Sequence, residues 1–238
     1  MAQAAVKELT SGATTLSAFV ESLGPKLTSS EAAERESAVE LLADVVTALP
    51  PDLLNEQEVV SMLEFCCRRL TDSALVASPA IRLLHHLSTR ARGFPAKAVR
   101  VVTRVLLQEH QTQAAPVEDR YRIFRILAHF LQQHMQSLRE LGSEFTLGFL
   151  QAMEGEKDPR CLQLVLRLFC IVVQSFSIGA IASDLFEVVA CYFPIDFKPP
   201  PNDPYGITAE ELSVALRRAL TAHSTFGRLC FSLVQVGF

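Results

Sequence analysis

Apolar residues return at intervals of three and four along almost the whole chain, and no stretch alternates with period two for long enough to make a strand. Between Glu34 and Pro50, "ERESAVELLADVVTALP" sets Ala38, Leu41, Leu42, Val45, Val46 and Leu49 on one stripe, with Glu36, Glu40 and Asp44 outside it. The same pattern recurs in Val59, Val60, Leu63, Cys67 and Leu70, then in Ile81, Leu84 and Leu87, then in Val101, Val102, Val105 and Leu106. It continues through Tyr121, Phe124, Leu127, Phe130 and Leu131, and through Leu162, Val165, Leu166, Phe169, Val172, Val173 and Phe176. A chain patterned this way can bury its stripes only by packing helix on helix.

Helix boundaries are written in the same letters. Thr28 with Glu31, and Thr208 with Glu211, have the spacing of capping boxes. Ser78-Pro79 and Asp158-Pro159 each offer a side-chain cap followed by proline at the first helical position, where its missing N–H costs nothing. Breaks fall at Gly24-Pro25, Pro50-Pro51, Gly93 with Pro95, Gly142 and Gly155. If the second helix of each pair begins near Ser30, Ser78, Val117, Pro159 and Thr208, the interval is roughly forty to fifty residues, that of HEAT or armadillo units. The expected fold is all-α: one continuous α-solenoid over residues 1–238, built of about five HEAT/armadillo-type helix pairs, with an irregular helical bundle as the alternative.

With 49% hydrophobic and 20% charged residues in 238, the chain has ample material for a core. Its net charge of −4 gives no general attraction to nucleic acid or to anionic lipid. Glu8 and scattered Thr and Ser interrupt any secretory signal at the start, and the longest apolar runs, such as "LFCIVV" at Leu168 to Val173, fall far short of the roughly 18 residues of a membrane span. No membrane partner is expected. The six cysteines form no C-x-x-C and neither asparagine lies in a glycosylation sequon, which points to the cytoplasm or nucleus.

No residues suggest catalysis. There is no Gly-rich phosphate loop, G-x-S-x-G or H-E-x-x-H; His85 and His86 leave a helix in different directions, and Cys66-Cys67 reads as a pair of packed thiols. The expectation is a non-enzymatic chain with no metal and no cofactor. Charge is more informative. Up to Glu64 there are eight more acids than bases, whereas Ser73 to Gln108 holds six bases and no acid. Three of those bases, Lys97, Arg100 and Arg104, recur at three and four opposite the valines and would form one basic ridge. Such a ridge either meets an acidic or phosphate partner or is a solvated face answered by the neighbouring acidic helices.

"CYFPIDFKPPPNDPYGI", Cys191 to Ile207, holds five of the twelve prolines and interrupts the helical pattern. It reads as a rigid crossover between helices, with Pro199-Pro200-Pro201 extended and Pro204-Tyr205-Gly206 in a turn. Phe193, Ile195 and Phe197 alternate with Asp196 and Lys198, so an extended backbone either plugs the apolar set between helices or, with Tyr205, displays it to a partner.

The runs "FTLGFLQAMEGEKDPR" (Phe145 to Arg160) and "LFEVVACYFPIDFKPPPNDPYGIT" (Leu185 to Thr208) resemble the N-terminal region of the Mms-nineteen family, HEAT-repeat proteins. The likeness covers nearly all of this chain and the first part only of a much longer family protein. The resemblance implies a scaffold of cytosolic iron–sulfur protein assembly. It would bridge a WD-repeat propeller and its small acidic partner protein to apo DNA helicases and polymerases that need a [4Fe–4S] cluster, and hold no cluster itself. It further implies that docking to the assembly partners rests mainly on C-terminal repeats outside this sequence. The final stretch, "STFGRLCFSLVQVGF", presents Phe226, Leu229, Leu233 and Val236 with no polar capping repeat after it, so an exposed apolar end and a truncated or spliced product are expected. Beside the adaptor stands a second expectation from another class, a nucleic-acid- or transcription-factor-associated protein acting through the Lys97, Arg100 and Arg104 ridge; no direct nucleic-acid contact is expected of the adaptor.

Overall fold

The repeated three-and-four spacing is realised as helix after helix. The computed structural model describes residues 1–90, 94–201 and 203–236, and among these are fourteen α-helices and no strand. They fall into two compact units, Met1–Ser137 and Leu138–Phe238.

In the first unit, α1 (Ala2–Ser11), α2 (Leu16–Ser22) and α3 (Gly24–Leu27) precede α4 (Ala32–Ala48), on which α1 and α3 pack. Then come α5 (Glu56–Arg69), α6 (Ala74–Arg90), α7 (Ala96–Arg104) and α8 (Val117–Gln133). Helices α4, α6 and α8 pack each on the next, while α5 lies against α6 and α7. That is α-solenoid packing, with every second helix forming an inner layer, and the fold class is the expected all-α one. The inner layer buries large apolar side chains: Leu42, Ile81, Leu83, Leu84, Leu87, Phe124 and Phe130 are fully buried. A buried Leu to Ala change in such a layer removes about 2–5 kcal/mol.

One charged network fixes the α5–α6 turn. Asp72 accepts two bonds from Arg35, 2.5 and 3.0 Å, one from Arg69 at 3.1 Å, and one from the Ser73 amide at 2.8 Å. The Arg35 guanidinium, before any other neighbour, holds the Asp72 carboxyl below its ordinary range.

A short helix, α9 (Met135–Arg139), carries the chain into the second unit. There α10 (Ser143–Met153), α11 (Pro159–Ser175), α12 (Ala182–Ala190), α13 (Ala209–Leu220) and α14 (Phe226–Val236) follow. Helix α11 packs on α10 and α13, and α12 on α13 and α14. Phe145, Phe149, Phe169 and Phe226 are fully buried; the Phe226 ring lies 5.6 Å from Phe186 and 6.0 Å from Phe169, joining the start of α14 to α11 and α12. Phe226 is therefore core, Leu229 is half-buried and Phe231 is 75% exposed, while Leu233 and Val236 lie outside the described side chains.

The expected helix starts hold at two sites and fail at two. Asp158 accepts from the Cys161 amide at 2.9 Å with Pro159 in the first turn, and Thr208 with Glu211 forms both bonds of a capping box. Thr28 instead donates its hydroxyl to the Gly24 carbonyl, closing the short turn of α3, and the Glu31 amide is taken by Ser29. Pro79 sits inside α6, because Ser73, braced by Asp72, receives the Val76 and Ala77 amides and starts the helix five residues earlier. A further capping box, Asn55 with Glu58, opens α5.

Val101 also departs from the expected stripe: it is 51% exposed, and Val99 is buried in its place. A π-helical turn, Val105–Glu109, closed by the His110 amide on the Val105 carbonyl, widens the end of α7. That widening lets Val105, Leu106 and Leu107 all face inward in succession.

Candidate partner-binding site

The two proline- and glycine-bearing stretches meet in the second unit. Helix α10 ends at Met153, and Gly155, at φ +77°, turns the chain through a left-handed conformation that a side chain would strain. Glu156 then folds inward with no exposure. Its Oε1 accepts the Lys157 amide at 3.0 Å and the Asp158 amide at 2.9 Å, and Asp158 in turn caps α11. The Glu156 and Asp158 carboxylates in "EGEKDP" thus serve amides of the turn and of the first turn of α11 that have no partner within the helix.

Beyond α12 the proline segment is tied back onto that turn. The Tyr192 hydroxyl donates to the Met153 carbonyl at 3.1 Å. Burial, followed by the neighbouring Cys191 thiol, pushes the Tyr192 phenol well above its ordinary range. After a cis Phe193-Pro194 bond, the Asp203 amide donates to the Pro200 carbonyl at 3.1 Å. The Asp203 carboxylate then takes the Tyr205 amide at 3.3 Å and the Ile207 amide at 3.1 Å. Ile207 is buried and the chain passes directly into the Thr208 capping box of α13. Finally, the Arg160 guanidinium stands 4.3 Å over the Tyr205 ring, a cation–π contact that links the start of α11 to the end of the segment.

Two aromatic rings remain on the outside. Phe193 is 50% and Tyr205 53% exposed, whereas Ile195 and Phe197 are half-buried between exposed Asp196 and Lys198. The period-two expectation is met in the middle of the segment, and the two ends carry the accessible rings. Sequence reasoning did not single out Tyr192, Glu156, Arg160 or Asp203, the residues that hold the segment in place. Cys191 is exposed, but burial and then the Glu154 carboxylate raise its thiol, so it is held protonated rather than as a nucleophilic thiolate.

In the first unit, Lys97, Arg100 and Arg104 do share one face of α7, opposite the buried Val99, Val102 and Thr103. Lys97 and Arg104 are exposed, Arg100 is half-buried, and exposed Val101 stands among them. Another base of the acid-free stretch, Arg82, is answered by α4, at 2.6 Å from Asp44 and 3.9 Å from Glu40. Among the described residues no group of three or more His, Cys, Asp and Glu side chains is placed to hold a metal ion, and no helix is long and apolar enough to cross a membrane.

Comparison with known proteins follows the same letters. The MMS19 N-terminal family model, described as a Dos2-interacting transcription regulator of RNA-Pol-II, matches residues 20–235. The chain belongs to the MMS19 family. It is 38% identical over 228 residues to the mouse and to the human MMS19 nucleotide excision repair protein homologs, covering 95% of this chain and 22% of each of them. It is also 29% identical over 213 residues to the fission yeast DNA repair/transcription protein mms19, covering 89% of this chain and 21% of that protein. The chain therefore spans about a fifth of the length of these MMS19 relatives.

Proposed function

We propose that this chain is a client-facing part of a non-enzymatic MMS19 adaptor in cytosolic iron–sulfur protein assembly, working in the cytoplasm and nucleus. It presents apo DNA helicases and polymerases for [4Fe–4S] cluster insertion, and so serves DNA repair and transcription. Membership of the MMS19 family and the repair and transcription names of its relatives support this reading. The observation that carries it is the braced segment Cys191–Ile207, which holds Phe193 and Tyr205 accessible at fixed positions. Exposed aromatic rings on a rigid base are the usual anchors of protein recognition. The WD-repeat propeller and its small acidic partner are the assembly-side partners of the whole adaptor.

The test is capture from cytosol by the tagged chain at moderate salt, beside a Phe193→Ser/Tyr205→Ser variant of matched thermal stability. Iron–sulfur helicases or polymerases should be recovered by the first and lost from the second. Equal recovery by both chains, or recovery by neither, would sink the reading.

A second reading is favoured by the clustering of Lys97, Arg100 and Arg104 on one face of α7, and by the family description as a transcription regulator. It makes the ridge a contact for nucleic acid or for an acidic transcription factor. Phosphate contacts release counterions, so binding through the ridge should fall steeply with salt, whereas an aromatic dock should lose little.

A further inference from the structure

The widened turn at the end of α7 has a second effect, at the α5–α6 turn of the first unit. It delivers His110 to the Leu70 carbonyl, with Nδ1 at 3.2 Å. A carbonyl can only accept, so Nδ1 carries the proton, and in the tautomer this bond selects Nε2 keeps its lone pair. The chain then turns through Thr112–Ala114, where the buried Thr112 hydroxyl donates to the Leu106 carbonyl at 3.2 Å, and enters α8. Asp119, third in that helix and 1% exposed, gives one oxygen to Arg122 at 2.7 Å.

Between these groups lies an open pocket of about 360 Å³. Its walls include Ala74, Ala77, Ile81 and Ala114, and both His110 and Asp119 line it. His110 Nε2 and Asp119 Oδ2 are both buried and neither has a hydrogen-bond partner. Buried orphan acceptors are rare in native proteins, and two in one pocket point to a missing donor. Exposed Glu109 stands on the same lining, which carries three carboxylates and no lysine or arginine.

We infer that this pocket receives the guanidinium of an arginine side chain presented by a partner protein. A planar group with five N–H donors can serve a ring nitrogen and a carboxylate oxygen at once, which the point charge of an ammonium does less well. The apolar walls suit the aliphatic stem. The same lining already shows the chemistry internally, since Asp72 holds the guanidiniums of both Arg35 and Arg69. The inference stands apart from the adaptor reading, because the pocket lies wholly in the first unit and its test needs no client.

The experiment follows the His110 side-chain nitrogens of the whole chain by ¹H–¹⁵N correlation while N-acetyl-arginine methylamide is added. The lysine and citrulline analogues are run in parallel. A single side chain should bind with Kd on the order of 1 mM, moving the Nε2 resonance from a bare lone pair toward a hydrogen-bonded one. The response should weaken about tenfold or more with lysine and vanish with citrulline, an uncharged isostere. Asp119→Asn should abolish it. Because Asp119 also steadies α8 through Arg122, Ser78→Met serves as a second variant that fills the pocket without touching either acceptor, and its folding is checked by thermal melting. No shift with arginine, an equal shift with citrulline, or a response that survives in the folded Ser78→Met chain overturns the inference and leaves the two lone pairs to ordered water.

Discussion

Tyr192→Phe offers the sharpest test of how the proline segment is held, because it removes one oxygen and leaves the ring. At neutral pH it deletes the 3.1 Å bond to the Met153 carbonyl, a net loss of about 1 kcal/mol for a neutral hydrogen bond. The alkaline side works in the other direction. The folded phenol is raised by burial and by its neighbour Cys191, whereas the unfolded phenol ionises near pH ~10. The stabilising term from the neutral phenol is therefore complete below the unfolded value and falls as pH climbs past it, since the unfolded chain then releases a proton that the folded chain keeps. For one group the limit is about 1.4 kcal/mol per pH unit, and the half-buried ring makes this an upper bound through solvent screening. The wild type should start about 1 kcal/mol more stable, lose that margin as the unfolded phenol ionises, and cross the variant near pH ~10.6. Urea titrations by circular dichroism at pH 7 to 11 measure both curves, with hydrogen exchange on peptides from 145–176 assigning the second unit's transition. Parallel curves over the whole range would refute the argument: the phenol would then be no more protected in the folded chain than in the unfolded one.

Three further outcomes follow from the same structure. Burial holds the Cys66 thiol up and pushes Cys67 up to about 11, so stability of the first unit should fall as pH rises above the unfolded thiol value of about 8.5. Cys66→Ala should flatten that slope in a denaturation series from pH 7 to 10, and an unchanged slope would contradict its burial. Phe226→Ala empties a fully buried site between α11 and α12 and should cost about 3–5 kcal/mol in the second unit's chemical unfolding; a loss below about 1 kcal/mol would mean that the start of α14 is not part of that core. Asp158→Ala strips the cap of α11 and should cost about 1 kcal/mol by thermal melting, with Asp158→Asn recovering most of it.

The helices were legible because their apolar stripes repeat at the helical period and because most of their burial is local to one face. The spacing of the helix starts was legible as well: α4, α6 and α8 in the first unit begin at Ala32, Ala74 and Val117, and α11 and α13 in the second at Pro159 and Ala209, close to the starts read from the letters. The misses arise where a local signal loses to a stronger neighbour. Ser78-Pro79 has the form of a helix start, but Ser73 beside the Asp72 network starts α6 first. Val101 falls outward because the face centred on Val99, Val102 and Thr103 is the one that packs, and the π turn then brings Val105 inward. At the candidate site, the prolines and the alternating Phe193, Ile195 and Phe197 were visible in sequence. The bonds that hold them join residues 39 and 45 positions apart, Tyr192 to Met153 and Tyr205 to Arg160, and no local pattern announces such pairs. The acceptors facing the first unit's pocket were hidden for the same reason, since His110 meets Leu70 from 40 positions away.

On the docking role proposed above, the doubly held carboxylate of Asp203 and the Tyr192 anchor also bear on how quickly and how tightly a partner would be captured. A segment of this length, left loose, would have to be ordered at the moment of association, at about 1–2 kcal/mol of backbone entropy per residue fixed. Here that ordering is completed when the second unit folds, because the turn is closed by its own amides before any partner arrives. If a partner docks there as proposed, its encounter would be limited by diffusion and orientation instead of by folding, and the surplus from burying Phe193 and Tyr205 would go into residence time. A substitution such as Asp203→Ala, which touches no partner, would shorten that residence by returning the entropy to the unbound state.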